Sequence, residues 1–171
     1  MTGSPSGIRL RDAGAADLQA MHAIYAHHVL RSTSSFEVTP PDGQEFARRV
    51  QAVQDAGLPW LVAEIDGSVQ GYAYASSYRP RPAYRFTVED SVYVHPSAQG
   101  QGVGRALLTA VIDAAGKAGK RQVVAVITKS PGSGSVILHE KLGFQHVGTL
   151  SAVGFKFGRW LDTLLMQRSL R

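Results

Sequence analysis

Gln99-Gly-Gln-Gly-Val-Gly104 decides how this chain is read. Before it, Phe86-Thr-Val-Glu-Asp-Ser-Val-Tyr-Val94 alternates apolar and polar residues and predicts a strand. After it, Val103, Leu107, Ala110, Val111 and Ala114 recur at helical spacing, with no breaker before Gly116. A glycine-rich turn from strand to helix leaves several backbone N–H groups unpaired and aimed outward. The helix dipole adds partial positive charge at the same point, so the turn suits a phosphate or pyrophosphate.

What the turn lacks narrows the ligand. No Lys-Ser/Thr pair follows the glycines, as a nucleotide-hydrolysing P-loop requires. The dinucleotide pattern G-x-G-x-x-G fails in both registers: Gly100 and Gly102 lead to Arg105, and Gly102 and Gly104 lead to Leu107. The turn does fit Q/R-x-x-G-x-G/A, as Gln99, Gly102 and Gly104. On that pattern the chain resembles the Gcn5-related N-acetyltransferase (GNAT) superfamily, where the loop holds acetyl-CoA. Leu138-His-Glu-Lys-Leu-Gly-Phe144 resembles the superfamily's L-Y-E-K-L-G-F helix end, with His139 where many members carry Tyr. Gly143 there suits a helix C-cap needing positive φ. Within the superfamily the chain is similar to the phosphinothricin and methionine sulfoximine acetyltransferases. Ser35-Phe-Glu37, Tyr78-Arg-Pro-Arg-Pro-Ala-Tyr-Arg85, Thr87-Val-Glu89, Val92-Tyr-Val94 and Val153-Gly-Phe-Lys-Phe-Gly-Arg-Trp-Leu-Asp162 carry that similarity, in the same order.

Bulk properties set the frame. The 171 residues, 44% hydrophobic and 18% charged, suit one globular domain over 8–171 behind a short flexible leader at 1–7. With no cysteine there is no thiol nucleophile, disulfide framework or cysteine metal site. A net charge of +5 invites a nucleic-acid reading, but the basic residues are scattered, with pairs such as Arg48-Arg49 and Lys120-Arg121. No helix-turn-helix, zinc-finger or RNP pattern occurs. No nucleic-acid partner is expected, and the mild positive balance suits a polyanionic cofactor. The leader has no apolar core and no 18-residue apolar run occurs, so no membrane partner is expected and the cytoplasm is the default. His22, His27, His28, His95 and His146 form no H-E-x-x-H or similar set, and no metal is expected.

The elements follow from period and punctuation. A strand over Ile8–Arg11 precedes a helix with Leu18, Met21, Tyr25 and His28 or Val29 inside. Pro40-Pro41-Asp42 introduces a second helix through about Ala56, with Phe46, Val50 and Val53 as its stripe. Trp60–Ile65 and Ser68–Ser77 form a hairpin about Asp66-Gly67. A proline-rich loop at 79–84, the strand over 85–94, the glycine turn and a third helix follow. Gln122–Thr128 is a strand, 132–142 a fourth helix, and 145–157 and 161–169 are two strands joined at 158–160. The resemblance implies that this β-α-α-β-β-β-α-β-α-β-β order folds as an α/β (α+β) GNAT acyl-CoA N-acyltransferase domain. Its sheet would be mixed, mostly antiparallel, of six to seven strands, with helices on both faces and a β-bulge near Ser91–Tyr93.

The resemblance also implies the chemistry: direct attack of a primary amine on the thioester of acetyl-CoA. An amine near neutral pH is mostly protonated, so a base must take a proton. Glu89 matches the family glutamate and would be that base, directly or through water, with a solvated carboxylate on an exposed strand face as the alternative that the local pattern leaves open. Strand parity puts Glu89 and Ser91 on one face and Val88, Asp90 and Val92 on the other, with Asp90 a hydrogen-bonding or charge-paired structural group. The N–H of Val92 or Tyr93 would hold the oxyanion, and Val92, Tyr93 and Val94 would pair with the pantetheine amides. Gln99, Gly100, Gln101, Gly102, Val103, Gly104 and Arg105 would hold the diphosphate. His139 stands where the superfamily often has a tyrosine acid, with a helix-packing histidine as the alternative. Relatives commonly carry Asn at the position of Gly132, and Ser133 or Ser135 would compensate for its loss. For the amine substrate, Arg79 and Arg81 would fork onto a carboxylate or phosphinate. Tyr84, Phe36 and Glu37 would shape the pocket, and Lys156 or Phe155 would reach it from a second subunit of a homodimer. The substrate expected is a small amino-acid analogue of the phosphinothricin or methionine sulfoximine type. Another amine (an amino acid, a polyamine, a protein N-terminus or lysine) and a non-catalytic acyl-CoA-binding module are the alternatives.

Overall fold

The computed structural model describes residues 7–130 and 132–171, so the expected leader lies, except for Gly7, outside the described residues. The elements are β1 (Ile8–Asp12), α1 (Leu18–Arg31), α2 (Gly43–Asp55), β2 (Trp60–Ile65), β3 (Ser68–Ser77) and β4 (Thr87–Val94), then α3 (Val103–Lys117), β5 (Gln122–Thr128), α4 (Gly134–Lys141), β6 (Gln145–Lys156) and β7 (Arg159–Ser169). The strands form one seven-stranded sheet in the order β1-β2-β3-β4-β5-β7-β6. Only β4 and β5 run parallel; every other neighbouring pair is antiparallel.

Local chemistry explains where the elements begin and turn. Asp42 opens α2 by accepting the Glu45 N–H at 2.8 Å. The β2–β3 hairpin turns on Asp66 and Gly67, both at positive φ (50° and 77°), as a two-residue primed turn requires. Each face of the sheet carries its own core. Leu107, Leu108, Val111 and Ile112 of α3 pack with Val88, Val123 and Met166 on one side. Met21, Ile24 and Val29 of α1 and Phe46 of α2 pack with Trp60 and Tyr72 on the other. The buried stripe of α3 is rotated from the one expected: Leu108, Ile112 and Ala115 are buried, whereas Ala110 and Ala114 are only half-buried. Gly71 lets α3 approach the sheet, since a Cβ there would meet Val103 Cγ1 at 3.0 Å and Leu107 Cδ1 at 3.1 Å.

The predicted bulge in β4 is not found. β4 stays in register with β3 from Gly71↔Val94 to Ser77↔Val88 without a break. The irregularity lies on its other edge, where β5 pairs only with Thr87, Val88 and Glu89. Beyond that point β5 follows β7 as far as Thr128↔Thr163, while β4 follows β3. The two parallel strands therefore part after Glu89, and the sheet opens between them.

Candidate active site

The backbone lining this opening can be assigned from the ladder. In an antiparallel pair, alternate residues turn N–H and C=O to the partner strand and the rest turn them away. Tyr78 N–H donates to the Thr87 carbonyl at one end of the β3–β4 ladder, and His95 N–H donates to the Gln70 carbonyl at the other. Odd-numbered residues of β4 thus bond to β3. Asp90, Val92 and Val94 turn their backbone groups toward the β5 edge, which meets no residue of β4 beyond Glu89. Of the two amides expected to face a thioester, only that of Val92 points into the opening; that of Tyr93 is spent on β3. His28, from α1, reaches the same edge and donates from Nε2 to the Val94 carbonyl at 2.8 Å.

At the C-terminal end of this edge stands the glycine turn. Gly100 and Gly102 take φ of +76° and +84°, a conformation costly to any residue with a Cβ. Gly102 is the N-cap of α3, with no side-chain cap and no acidic residue in the first turn. The first amides of α3 therefore have no partner among the described residues, a polarised site for an anion. Gln101 braces the turn by donating to the Ser97 carbonyl at 2.9 Å. A Cβ on Gly104 would stand 3.5 Å from Leu138 Cδ2 and 3.6 Å from Val94 Cγ2, so α3, α4 and the end of β4 converge there. Arg105 is exposed on the first turn. Ser133, expected beside the cofactor, is instead the N-cap of α4, its Oγ accepting the Val136 N–H at 3.5 Å.

On the opposite side of the sheet a cavity of about 330 Å³ lies between α2 and the strands, lined by Tyr25, Glu37, Arg49, Trp60, Tyr74 and Ser76 among others. Trp60 and Tyr74 stack with ring centroids 3.9 Å apart. Ser76 pairs with Glu89 and Tyr74 with Ser91, and residues directly opposed in a ladder share a face. Glu89 is thus opposed to Ser76 of the cavity lining and, with Ser91, lies on the same face of the sheet, although it does not itself line the cavity. Its carboxyl is held above the usual range, first by burial and then by the charge of Asp90. Arg49, Trp60, Tyr74 and Ser76 were not singled out in the sequence. The alternation of Tyr72, Tyr74 and Ser76 along β3 was the available signal.

Several expected residues stand elsewhere. Glu37 lines the cavity, but its carboxylate is engaged by the Tyr25 hydroxyl at 2.7 Å and by Arg49. Phe36 packs on Gly154, where a Cβ would come within 2.3 Å of its ring. Lys156 is 4% exposed and donates to the carbonyls of Ser32 and Ser35 at 2.9 and 2.6 Å in its own chain. Burial lowers its pKa, and an ammonium so committed does not reach a neighbour's pocket. Arg79 and Arg81 are exposed on their loop, Arg79 lying over the Tyr78 ring at 5.3 Å. Tyr84 packs edge-on against Tyr78 at 5.6 Å, and none of these three lines the cavity. His139 departs most from expectation. It is 2% exposed, with Nε2 donating to Asp90 Oδ2 at 2.8 Å and Nδ1 donating to the Ser135 carbonyl at 2.6 Å. Neither ring N–H is left for a departing thiolate, so the general-acid role gives way to the helix-packing alternative.

Residues 22–144, which span the glycine turn, the bare helix start and the two parted strands, match the model of the acetyltransferase (GNAT) family. The chain belongs to the GNAT family of acetyltransferases. Such enzymes move an acetyl group from acetyl-CoA to an amine. The chain is 56% identical to the phosphinothricin N-acetyltransferase of Alcaligenes faecalis, over 90% of its own length and 78% of the relative's. It is 42% identical to the L-methionine sulfoximine/L-methionine sulfone acetyltransferase of Salmonella typhimurium, over 95% of each chain. The GNAT superfamily phosphinothricin acetyltransferase of Sinorhizobium meliloti, solved in complex with acetyl-CoA, superposes with a TM-score of 0.92. That enzyme is 46% identical, over 95% of this chain and 88% of that one.

Proposed function

We propose that this GNAT enzyme acetylates the α-amino group of a small amino-acid-like substrate of the phosphinothricin or methionine sulfoximine type, with Glu89 as general base. One observation carries the reading. The Ser76↔Glu89 register sets a half-buried carboxylate, without an ion-pair or hydrogen-bond partner among the described residues, beside Ser76 of the cavity lining and at the parting of β4 from β5. In this reading the diphosphate of acetyl-CoA rests on the amides of residues 100–105, and the pantetheine chain runs along the edge of Val92 and Val94, where the Val94 carbonyl is already taken by His28. The thioester then lies near Glu89. Glu89 first takes one proton from the ammonium group and yields it to water; the free amine then attacks the carbonyl carbon, and the second proton leaves the nitrogen of the adduct to the same carboxylate. The N–H of Val92 receives the oxyanion, and collapse of the tetrahedral adduct breaks the C–S bond. A thiolate is a far better leaving group than an amide anion, so the adduct expels sulfur without a dedicated acid. A base held above the usual carboxylate range is better matched to an ammonium group than an exposed glutamate.

The names of the two relatives support this substrate class, and the Trp60 and Tyr74 rings can pack on the methylene chain and terminal methyl of such a substrate, with Arg48 and Arg49 in the same lining to face its polar group. We further propose a homodimer built through the β6–β7 hairpin. β6 is an edge strand whose Val147, Leu150, Val153 and Phe155 are exposed, with Trp160 of β7 at 68%. Light scattering on the eluting protein should give twice 18.3 kDa.

The decisive assay is thiol release from acetyl-CoA across a panel of amines, with and without Glu89→Gln. Turnover with methionine sulfoximine or phosphinothricin is expected, with a loss of roughly 10²-fold or more in the variant. Turnover with peptides alone would move the substrate to a protein amine. Tight acetyl-CoA binding without turnover on any amine would contradict the enzymatic reading.

A further inference from the structure

We propose that Asp90 and His139 form a positioning pair for Glu89, a charge pair locked behind β4 that sets the proton affinity of the carboxylate in front of it. The inference rests on the reading of Glu89 as the base. Glu89 and Asp90 are consecutive on β4 and face opposite ways: Glu89 to the cavity side, Asp90 into the side covered by α3 and α4. Asp90 is 7% exposed and His139 2%, so water does not screen the pair. The near partners of the imidazole, the Asp90 carboxylate at 2.8 Å and the Ser135 carbonyl at 2.6 Å, are both acceptors, with the Ser135 hydroxyl farther off at 3.4 Å from Nδ1; the arrangement suits a ring protonated on both nitrogens. Burial works against that charge, but the hydrogen bond and the charge of Asp90 outweigh it, and the pKa of His139 is raised. Phe144 closes on the ring edge-on, with centroids 4.8 Å apart.

The second carboxylate oxygen makes the pair more than a strut. Asp90 Oδ1 is buried and has no hydrogen-bond partner among the described residues. Its charge is therefore not spent on a local donor and is felt one residue away, where Asp90 is the charge that adds to burial in raising the Glu89 carboxyl. The His139 cation offsets that push. On the cavity side the charged groups are Glu37, ion-paired to Arg49, and Arg48; Ser76 and Tyr74 from β3, Tyr93 and Ser91 on its own strand, and Val124 on β5 carry no charge at neutral pH. Around His139 stand Asp90 from β4, Ser135 on its own helix and Phe144. Asp90 and His139 thus act on Glu89 with opposite signs, from a place no substrate touches. Glu89 is also the last residue of β4 paired to β5, so the pair tunes the strand where the sheet opens.

The test is the acidic limb of kcat/KM against pH. Asp90→Asn removes the anion and should move the limb to lower pH, by roughly half to one unit for charges at this separation. His139→Gln removes the cation and should move it to higher pH by a similar amount. Limbs that stay in place, or that move in the same direction, would overturn the proposal, because a merely structural loss lowers kcat without opposite shifts. If either buried variant folds poorly, the coupling is read from the other end. A ¹⁵N-histidine NMR titration of Glu89→Gln should place the His139 midpoint lower than in the unaltered enzyme, by roughly 0.3 pH units or more; an unchanged midpoint overturns the coupling. Full activity of Glu89→Gln would instead refute the base reading, an outcome the titration does not depend on.

Discussion

α2 and α3 start in opposite ways. The N-cap of α2 is Asp42, whose carboxylate takes the Glu45 N–H at 2.8 Å, and Glu45 adds an acid to the first turn. The N-cap of α3 is Gly102, with no side chain to offer and no acid in the turn that follows. Both helices are of similar length and bury an apolar face against the sheet, so packing does not demand the difference. A helix whose first amides are satisfied by its own chain is closed to ligands. One whose first amides are left bare, at the end of a parted strand, is completed by an anion from outside.

Exchanging the two starts would break the contrast most sharply. Gly102→Asp gives α3 the kind of cap that α2 has, and aspartate tolerates the left-handed backbone better than most residues. Its carboxylate would occupy the proposed diphosphate site, and calorimetry should show acetyl-CoA affinity falling at least ~10-fold, about 1.4 kcal/mol. The reverse exchange, Asp42→Ala, should cost about 1 kcal/mol of stability, a fall of roughly 2–4 °C in melting temperature for a chain of this size. The acetyl-CoA Kd should not change. Smallest is Arg48→Ala, which removes an exposed partner of Glu45; chemical denaturation should register no resolvable shift of the midpoint. Equal effects of the Gly102 and Asp42 variants on acetyl-CoA binding would erase the distinction between the two helix starts.

What the sequence revealed follows the same division between local and distant causes. The hairpin of β2 and β3 and the span of β5 match their predicted limits residue for residue, because Asp66-Gly67 and the β-branched run act within a few residues of themselves. The face of Glu89 was legible from strand parity. The cavity was not, since Arg49 comes from α2, Trp60 from β2 and Tyr74 from β3, and only the fold assembles them. The bulge expected in β4 was misplaced because strand parting depends on which neighbour each strand follows, and β5 follows β7. Asp90 was read as a charge-paired structural group, and it is one. Its partner His139 lies 49 residues away, beyond the reach of any local pattern. Lys156 likewise closes on the Ser32 and Ser35 carbonyls from the far end of the chain, where sequence alone suggested an outward reach.

The central claim is that α3 is completed by the diphosphate of acetyl-CoA. Amide ¹H–¹⁵N spectra recorded while acetyl-CoA is added test it most directly. The largest shifts should fall on Gly100, Gln101, Gly102, Val103, Gly104 and Arg105, with Val92 and Val94 next and the start of α2 silent. Saturable binding that leaves those amides unmoved, with its shifts gathered elsewhere, would contradict the account.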